Sequence, residues 1–213
     1  MPSHPTYRPI FFDTETTGIY PERDRIIEIA AYDPVRQKKF EELIHPGMMI
    51  PKEVIAIHQI TDEMVRDASP FRDVIGRFIE FCEGNVALVA HNSDAFDLPF
   101  LRAEMKRVHQ EIPSHWLFID SLKWARRYRK DLPRHSLQYL RQVYGIQENQ
   151  AHRALNDVMV LFEVYSNMVD DLSCEQVVQL LAKAVQRNGK QEMIAPKTAP
   201  AVQQQETMVL FNG

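Results

Sequence analysis

The feature that most constrains this chain is a pair of acidic residues at the end of an apolar segment. Residues 10–12 read Ile-Phe-Phe, and Asp13 and Glu15 follow, two positions apart, before Gly18. The apolar run predicts a buried β-strand, and residues two apart on a strand point to the same face. Neighbouring carboxylates repel each other, and burying them is costly unless a positive charge lies close by. A divalent cation such as Mg²⁺ or Mn²⁺ would supply that charge, whereas a strand end with two solvated acids needs none. Both interpretations are open at this point.

The composition is typical of a globular protein and excludes few functions. Of the 213 residues, 45% are apolar and 25% are charged, and a chain of this length is expected to form one domain with a short extra segment. The net charge of −4 does not exclude a nucleic-acid partner, because bound cations reverse the local charge of an acidic site. Cys82 and Cys174 have neither disulfide nor zinc-site spacing. The start of the chain has no apolar signal region and no run is long enough to span a membrane, so we expect a cytoplasmic protein without a membrane partner.

Hydrophobic periodicity predicts an α/β fold with a mixed five-stranded sheet flanked by helices. The strand segments after the first are 25–32, 38–44, 86–90 and 116–120. The first three strands are expected to be antiparallel because their connections are short, and the wholly apolar strand 86–90 should be covered on both faces.

Helices are predicted around and after the last two strands. One is opened by Pro70 and ended by Gly84 and Asn85, one runs through 100–105, and others lie near 121–129, 136–143, 152–170 and 173–187. The folded domain is therefore placed at 7–186. Within residues 187–213, the stretch 196–205 is rich in Pro, Ala and Gln, and this tail is predicted to be disordered.

Two further carboxylates lie in apolar settings. Asp97 follows the central strand, where ligand sites of such sheets are found, although a helix N-cap with Pro99 in the first turn is an alternative role. Asp157 lies on the edge of the apolar stripe of helix 152–170, where an unpaired carboxylate is costly. His152 is expected in the loop before this helix, either as a cap or surface residue or, beside a metal cluster, as a proton acceptor.

The four acids form a coherent set for one chemistry. Two divalent ions held by carboxylates can clamp an in-line displacement at phosphorus, with one ion activating water and the other stabilising the departing oxygen. The set therefore predicts displacement by water at phosphorus.

The segments 13–18, 91–97 and 152–157 resemble the three motifs of the DEDDh 3′→5′ exonucleases, a family that includes proofreading subunits of bacterial DNA polymerases. The resemblance covers about residues 7–172 and implies a ribonuclease H-like fold with two Mg²⁺ or Mn²⁺ ions. It also implies roles for individual residues. The metal ligands would be Asp13, Glu15, Asp97 and Asp157, the general base would be His152, and the residues lining the pocket of the terminal nucleotide would be Thr16, Thr17, His58, Asn92 and Phe96.

The expected function is hydrolysis from the 3′ end with release of 5′-mononucleotides, in proofreading of DNA replication. A stand-alone exonuclease that trims RNA or single-stranded DNA is the alternative, and an inactive nucleic-acid-binding module is a more remote one. The expected substrate is a single-stranded or frayed 3′ end of DNA, with RNA as a second option, and the expected partners are a polymerase catalytic subunit and a sliding clamp. A basic region formed by Arg126, Arg127, Arg129, Lys130, Arg134 and Arg141 would follow the phosphate backbone or form a solvated helical face.

The end of the tail carries a candidate docking motif. Met208, Leu210 and Phe211 form a short apolar anchor behind a predicted disordered segment. They resemble the peptides by which replication proteins bind the clamp groove, and an unstructured end or a C-terminal strand is the alternative.

Overall fold

The computed structural model describes residues 7–147 and 153–172. The strands of this part of the chain are β1 (Arg8–Thr16), β2 (Ile26–Asp33), β3 (Lys38–Leu43), β4 (Val86–Ala90) and β5 (Trp116–Asp120). The helices are α1 (Lys52–His58), α2 (Asp62–Val65), α3 (Phe71–Phe81), α4 (Asp97–Arg107), α5 (Ser121–Tyr128), α6 (Leu137–Val143) and α7 (Ala154–Asp170). None of the helices in these two ranges has both the length and the apolar character needed to cross a membrane.

The strands form one mixed sheet in the order β3-β2-β1-β4-β5. β1 pairs antiparallel with β2, and β2 antiparallel with β3, as expected for strands joined by short connections. β4 lies parallel to β1 on its other side, and β5 lies parallel to β4. The predicted five-stranded sheet with an antiparallel set of three strands is therefore confirmed.

The sheet separates two apolar layers because successive side chains of a strand point to opposite faces. On one face Phe12 packs against Phe78 of α3. On the other face Phe11 packs edge-on against Phe162 and Tyr165 of α7. All five residues of β4 are buried, as predicted for a strand with helices on both sides. Asp13 and Glu15 have the same parity as Phe11, so they lie on the α7 side of the sheet.

Helix boundaries differ from the sequence prediction at three places. Pro70 has extended backbone angles and is the N-cap of α3 rather than its first helical residue. α3 ends at Phe81, before Gly84, because Gly84 adopts a left-handed backbone (φ +83°) that turns the chain toward β4. α7 begins at Ala154 rather than at residue 152. The predicted helix 173–187, Cys174 and the predicted disordered tail lie outside the described residues.

Candidate active site

The acidic pair lies where β1 extends beyond its neighbour β4. The ladder between β1 and β4 ends at the pair of Phe11 and Val89, whereas β1 continues alongside β2 through Asp13 and Glu15. The register then shifts after Glu15, and such irregularities re-aim the strand. Both acids therefore lie at the carboxyl end of β1, in the stretch that does not pair with β4, where ligand sites of such sheets are found.

α7 brings a third acid close to Asp13 and Glu15. Carboxylate oxygens of Asp13, Glu15 and Asp157 lie within 4.8 Å of one another. Asp157 is about 9% exposed and is the fourth residue of α7, so the packing of that helix against β1 and β2 carries it to the strand. Three oxygen donors at this separation form a candidate site for a divalent cation.

Asp97 approaches the same cluster from the opposite side of β1. It is buried at the start of α4, and its Oδ1 accepts a hydrogen bond of 2.9 Å from the Thr14 hydroxyl. The N-cap residue of α4 is Phe96, and no side chain caps this helix. The capping role considered for Asp97 is therefore wrong, while Pro99 does lie in the first turn of α4 as predicted. Asp97 is outside the 4.8 Å group, although its charge acts on Asp13 more strongly than that of any other neighbouring acid.

The electrostatics of the cluster favour a cation. Burial raises the pKa of Asp13 well above its usual range, and the charges of Asp97, Asp157, Glu15 and Glu28 add to the rise. Burial likewise raises the pKa of Glu15, with Asp157 as the largest of the charges that contribute. Burial raises the pKa of Asp97 to about 7, although the hydrogen bond from Thr14 acts in the other direction. A divalent cation would remove this repulsion, since it favours the charged form of every carboxylate around it.

Two of the predicted pocket residues, Thr16 and Thr17, make hydrogen bonds within the protein. The Thr16 hydroxyl donates to the Gly18 carbonyl at 2.6 Å, and the Thr17 hydroxyl accepts from the Arg25 amide at 2.9 Å. Both side chains are buried. They hold the turn that follows β1, and contact with a nucleotide remains a prediction for both.

The other predicted pocket residues lie on separate elements. Asn92 has a left-handed backbone (φ +70°), and its backbone N–H donates a hydrogen bond to Asp120 Oδ1 at 3.1 Å. Phe96 immediately precedes Asp97, and its ring lies 5.0 Å from that of Phe100. His58 is buried at the end of α1, where its Nδ1 accepts from the Ile60 amide at 2.9 Å. Their roles toward substrate also remain predictions.

The predicted basic region is interrupted. Arg141 is buried, and its guanidinium donates to the Gln138 side chain and the Ile146 carbonyl. Arg129 pairs with Asp131 and Asp171. These two arginines do not belong to a free cationic surface, because local acceptors occupy their guanidinium groups. The exposed basic residues of the set are Arg126, Arg127, Lys130 and Arg134.

His152 and the tail residues Met208, Leu210 and Phe211 lie outside the described residues. The role of His152 as a base, and clamp docking by the tail, stay predictions.

The profile of the RNase_T family, whose members are exonucleases, matches residues 10–165. This chain belongs to that exonuclease family. The match includes all three segments that carry the acids.

Two relatives of this exonuclease have names that describe different functions. The DNA polymerase III subunit epsilon of Treponema pallidum (strain Nichols) is 39% identical over 163 residues, and the alignment covers 74% of each chain. The chloroplastic/mitochondrial exonuclease DPD1 of Arabidopsis thaliana is 38% identical over 179 residues, which cover 76% of this chain and 56% of DPD1. The chain thus spans little more than half the length of DPD1.

A solved structure confirms the fold of this exonuclease. Escherichia coli exonuclease I in complex with a dT13 oligonucleotide superimposes with a TM-score of 0.69 at 18% sequence identity, covering 82% of this chain and 43% of the other. At this identity the likeness concerns the fold alone, and the predicted ribonuclease H-like fold is confirmed.

Two residues that support this exonuclease's site were not identified from the sequence. Gln138 of α6 donates from Nε2 to Asp157 Oδ1 at 3.1 Å, and its Oε1 accepts from Arg141 Nε at 2.9 Å. Glu28 of β2 is buried beside Glu15. Gln138 gives no sequence signal, since glutamine is common on helix surfaces. Glu28 does, because it is a carboxylate in an otherwise apolar strand.

Gln138→Ala should lower nuclease activity while preserving the fold. The variant removes the hydrogen bond that orients Asp157, and loss of such a partner of a metal ligand typically costs about 10–100-fold in metal affinity or activity. Rates measured on single-stranded DNA against Mg²⁺ concentration would test this. Gln142→Ala is the matched control, because Gln142 is an exposed glutamine of the same helix. Equal rates for the two variants would contradict the orienting role.

The metal-free exonuclease should lose stability as pH rises from about 4 to about 7. In this window the folded protein retains a proton on Asp97, whose pKa is raised to about 7, whereas the unfolded chain has released it. The free energy of unfolding therefore falls with rising pH. Mn²⁺ should restore stability at the upper end, with about 2–4 °C in Tm for each kcal/mol recovered.

Thermal unfolding in EDTA, followed by circular dichroism at several pH values, would measure this dependence. Asp97→Asn has no charge to desolvate, so this control should show a flatter dependence and a smaller response to Mn²⁺. A wild-type Tm that falls through the window no more than that of Asp97→Asn would contradict the expectation.

Proposed function

We propose that this chain is a metal-dependent 3′→5′ exonuclease that hydrolyses phosphodiester bonds and releases 5′-mononucleotides. The observation that carries the proposal is the group of Asp13, Glu15 and Asp157 oxygens within 4.8 Å, formed in a chain of the exonuclease family. Asp97, on the other side of β1, is the fourth ligand in the proposal.

The donor set fits divalent cations. All four side chains offer hard carboxylate oxygens, which Mg²⁺ and Mn²⁺ prefer, and burial raises the pKa of Asp13, Glu15 and Asp97. When bound, two such ions would activate the attacking water and stabilise the departing 3′-oxygen of an in-line displacement at phosphorus. The phosphate then leaves on the 5′ carbon of the released nucleotide, and the shortened chain keeps a 3′-hydroxyl.

The chain's own residues orient the ligands and move the proton. Thr14 holds Asp97 through its hydroxyl, and Gln138 holds Asp157 through its side-chain amide. His152 accepts the proton of the attacking water in this proposal, since a neutral imidazole suits that task near neutral pH. Thr16, Thr17, His58, Asn92 and Phe96 are proposed to line the pocket of the terminal nucleotide.

The proposed substrate is a single-stranded or frayed 3′ end of DNA, and the proposed task is proofreading in DNA replication. The 39% identity to a polymerase III epsilon subunit supports this task and makes a polymerase catalytic subunit the expected partner. The 38% identity to DPD1, which is named as an exonuclease, favours a stand-alone nuclease as the second candidate. Docking to a sliding clamp through Met208, Leu210 and Phe211, and a cytoplasmic location, belong to the proofreading proposal.

Product analysis on labelled primers would test polarity and task together. A 5′-labelled single-stranded DNA should give a ladder that shortens from the 3′ end in Mg²⁺ or Mn²⁺ and none in EDTA, and the small product should be a 5′-mononucleotide. Asp157→Asn is the control against contaminating nucleases. A single short labelled product at the earliest times would overturn the polarity.

Paired and mispaired primer termini, each made as DNA and as RNA, would separate the two tasks. Proofreading requires faster removal of a mispaired DNA terminus. Equal rates on both termini, or a preference for RNA, would favour trimming by a stand-alone enzyme.

A further inference from the structure

A fifth buried carboxylate lies beside the candidate metal ligands. Glu28 is fully buried in β2 and is directly opposite Glu15 in the antiparallel pair of β1 and β2. Like charges opposite each other on neighbouring strands are destabilising, and a buried carboxylate needs a partner. Glu28 therefore requires a compensating charge in addition to any cation bound by the other acids.

Arg153 supplies that charge. Its Nη2 donates to Glu28 Oε1 at 2.8 Å, and its Nε lies 3.3 and 3.4 Å from the two carboxylate oxygens. The second oxygen, Oε2, also accepts the backbone amide of Ala154 at 2.9 Å. Charge-assisted bonds of this kind are stronger than neutral ones and fix geometry.

Through these bonds Glu28 caps α7 from a neighbouring strand. Arg153 occupies the N-cap position, but its own side chain makes no capping bond to the helix. The Glu28 carboxylate satisfies the first amide of α7 instead and places a negative charge at the positive end of the helix. β2 and the start of α7 are thus joined at one point, which we call the Glu28–Arg153 clamp.

The clamp lies next to two residues of the proposed reaction. The Asp157 amide donates to the Arg153 carbonyl at 3.1 Å, so the clamped turn is the one that carries Asp157. His152, the proposed base, is the residue before Arg153 in the sequence. Arg153 also offsets part of the charge of Glu28, while the same Nη2 lies 3.7 Å from an oxygen of Glu41.

We propose that Glu28 and Arg153 are positioning residues, whose clamp orients Asp157 for hydrolysis. This inference rests on the proposed nuclease function. Neither residue is assigned a contact with substrate or cation. Their contribution is to the geometry and the charge of the groups that make those contacts.

Four variants would test the clamp in the full-length protein. Glu28→Gln breaks the ion pair at nearly constant size, Arg153→Gln removes the cation and shortens the side chain, and Arg153→Lys keeps the charge without the forked geometry. Asp33→Asn is the matched control, because Asp33 is another fully buried carboxylate of β2 that pairs with arginines, here Arg8 and Arg36. It lies five positions after Glu28, about 16 Å along the strand. For each variant, kcat and KM on a single-stranded DNA oligonucleotide in Mg²⁺ are measured together with Tm.

Glu28→Gln and Arg153→Gln should lower kcat by about 10–100-fold, with KM for DNA little changed. Arg153→Lys should retain more of kcat than Arg153→Gln, and Asp33→Asn should lower Tm while kcat stays at the wild-type value. A wild-type kcat in both Glu28→Gln and Arg153→Gln would refute the positioning role of the clamp, while the proposed nuclease function would be unaffected. A loss of kcat in Asp33→Asn equal to that in Glu28→Gln would reduce the clamp to a contribution to stability. A wild-type protein without nuclease activity would remove the proposed function, and the positioning role with it.

If Glu28→Gln does not fold, Arg153→Lys decides the question. An unchanged kcat in that variant would count against the forked ion pair, and a reduced kcat at unchanged KM would support it.

Discussion

Replacing Asp13 with Asn should nearly abolish the Mg²⁺-dependent release of nucleotides from single-stranded DNA. The side chain keeps its size but loses the charge next to Glu15 and Asp157, whose carboxylate oxygens lie within 4.8 Å of that of Asp13. A metal clamp supplies several kcal/mol of transition-state stabilisation, and about 1.4 kcal/mol corresponds to a tenfold change in rate, so kcat/KM should fall by about a thousandfold.

The measurement is single-turnover hydrolysis of a labelled oligonucleotide over a range of Mg²⁺ and Mn²⁺ concentrations. Asp73→Asn, an exposed acid in the first turn of α3, is the control for loss of a negative charge. Metal-free Asp13→Asn should also unfold at a temperature no lower than the metal-free wild type, since burial and neighbouring acids raise the pKa of Asp13. Wild-type rates in this variant would refute its assignment as a ligand.

Replacing His152 with Ala should slow hydrolysis without removing the cations. General-base catalysis by a positioned histidine contributes about 100–10,000-fold, so kcat should fall within that range. The Mg²⁺ concentration that gives half-maximal rate should change little, because the proposed ligands are all carboxylates.

The relevant comparison for His152→Ala is Asp157→Asn, in which a ligand is lost. His109→Ala, at an exposed histidine after α4, controls for loss of an imidazole elsewhere in the protein. If His152→Ala raises the Mg²⁺ requirement as much as Asp157→Asn does, His152 is a ligand or a determinant of the site's structure rather than the base.

Those features of the site that follow from strand and helix periodicity could be predicted from the sequence. The two-residue spacing of Asp13 and Glu15 placed both on one face of β1, and the apolar stripe of α7 placed Asp157 toward the sheet. The structure brings these three together. The apolar strand β4 and the short connection between β2 and β3 were sufficient to predict the mixed sheet.

Features that depend on contacts between distant segments could not be predicted in this way. Glu28 breaks an apolar strand just as Asp13 does, so its burial cost was visible, but its partner Arg153 is 125 positions away. The environment of Arg141 could not be predicted either, because a run of basic residues does not indicate which guanidinium is buried and donates to Gln138. Asp97 was compatible with either a cap or a ligand until the N-cap of α4 proved to be Phe96.

The different lengths of β1 and β4 limit which insertions and deletions this fold can accept near the site. Asp13 and Glu15 lie in the part of β1 that continues beyond its last pair with β4, so their freedom from β4 depends on the lengths of the two strands rather than on any particular surrounding side chain. Substitutions in the two apolar layers leave this offset unchanged as long as neither strand gains or loses residues. An insertion that prolonged β4 by two residues would pair it with the stretch of β1 that carries Asp13, which makes this boundary less tolerant of length variation than the rest of the sheet.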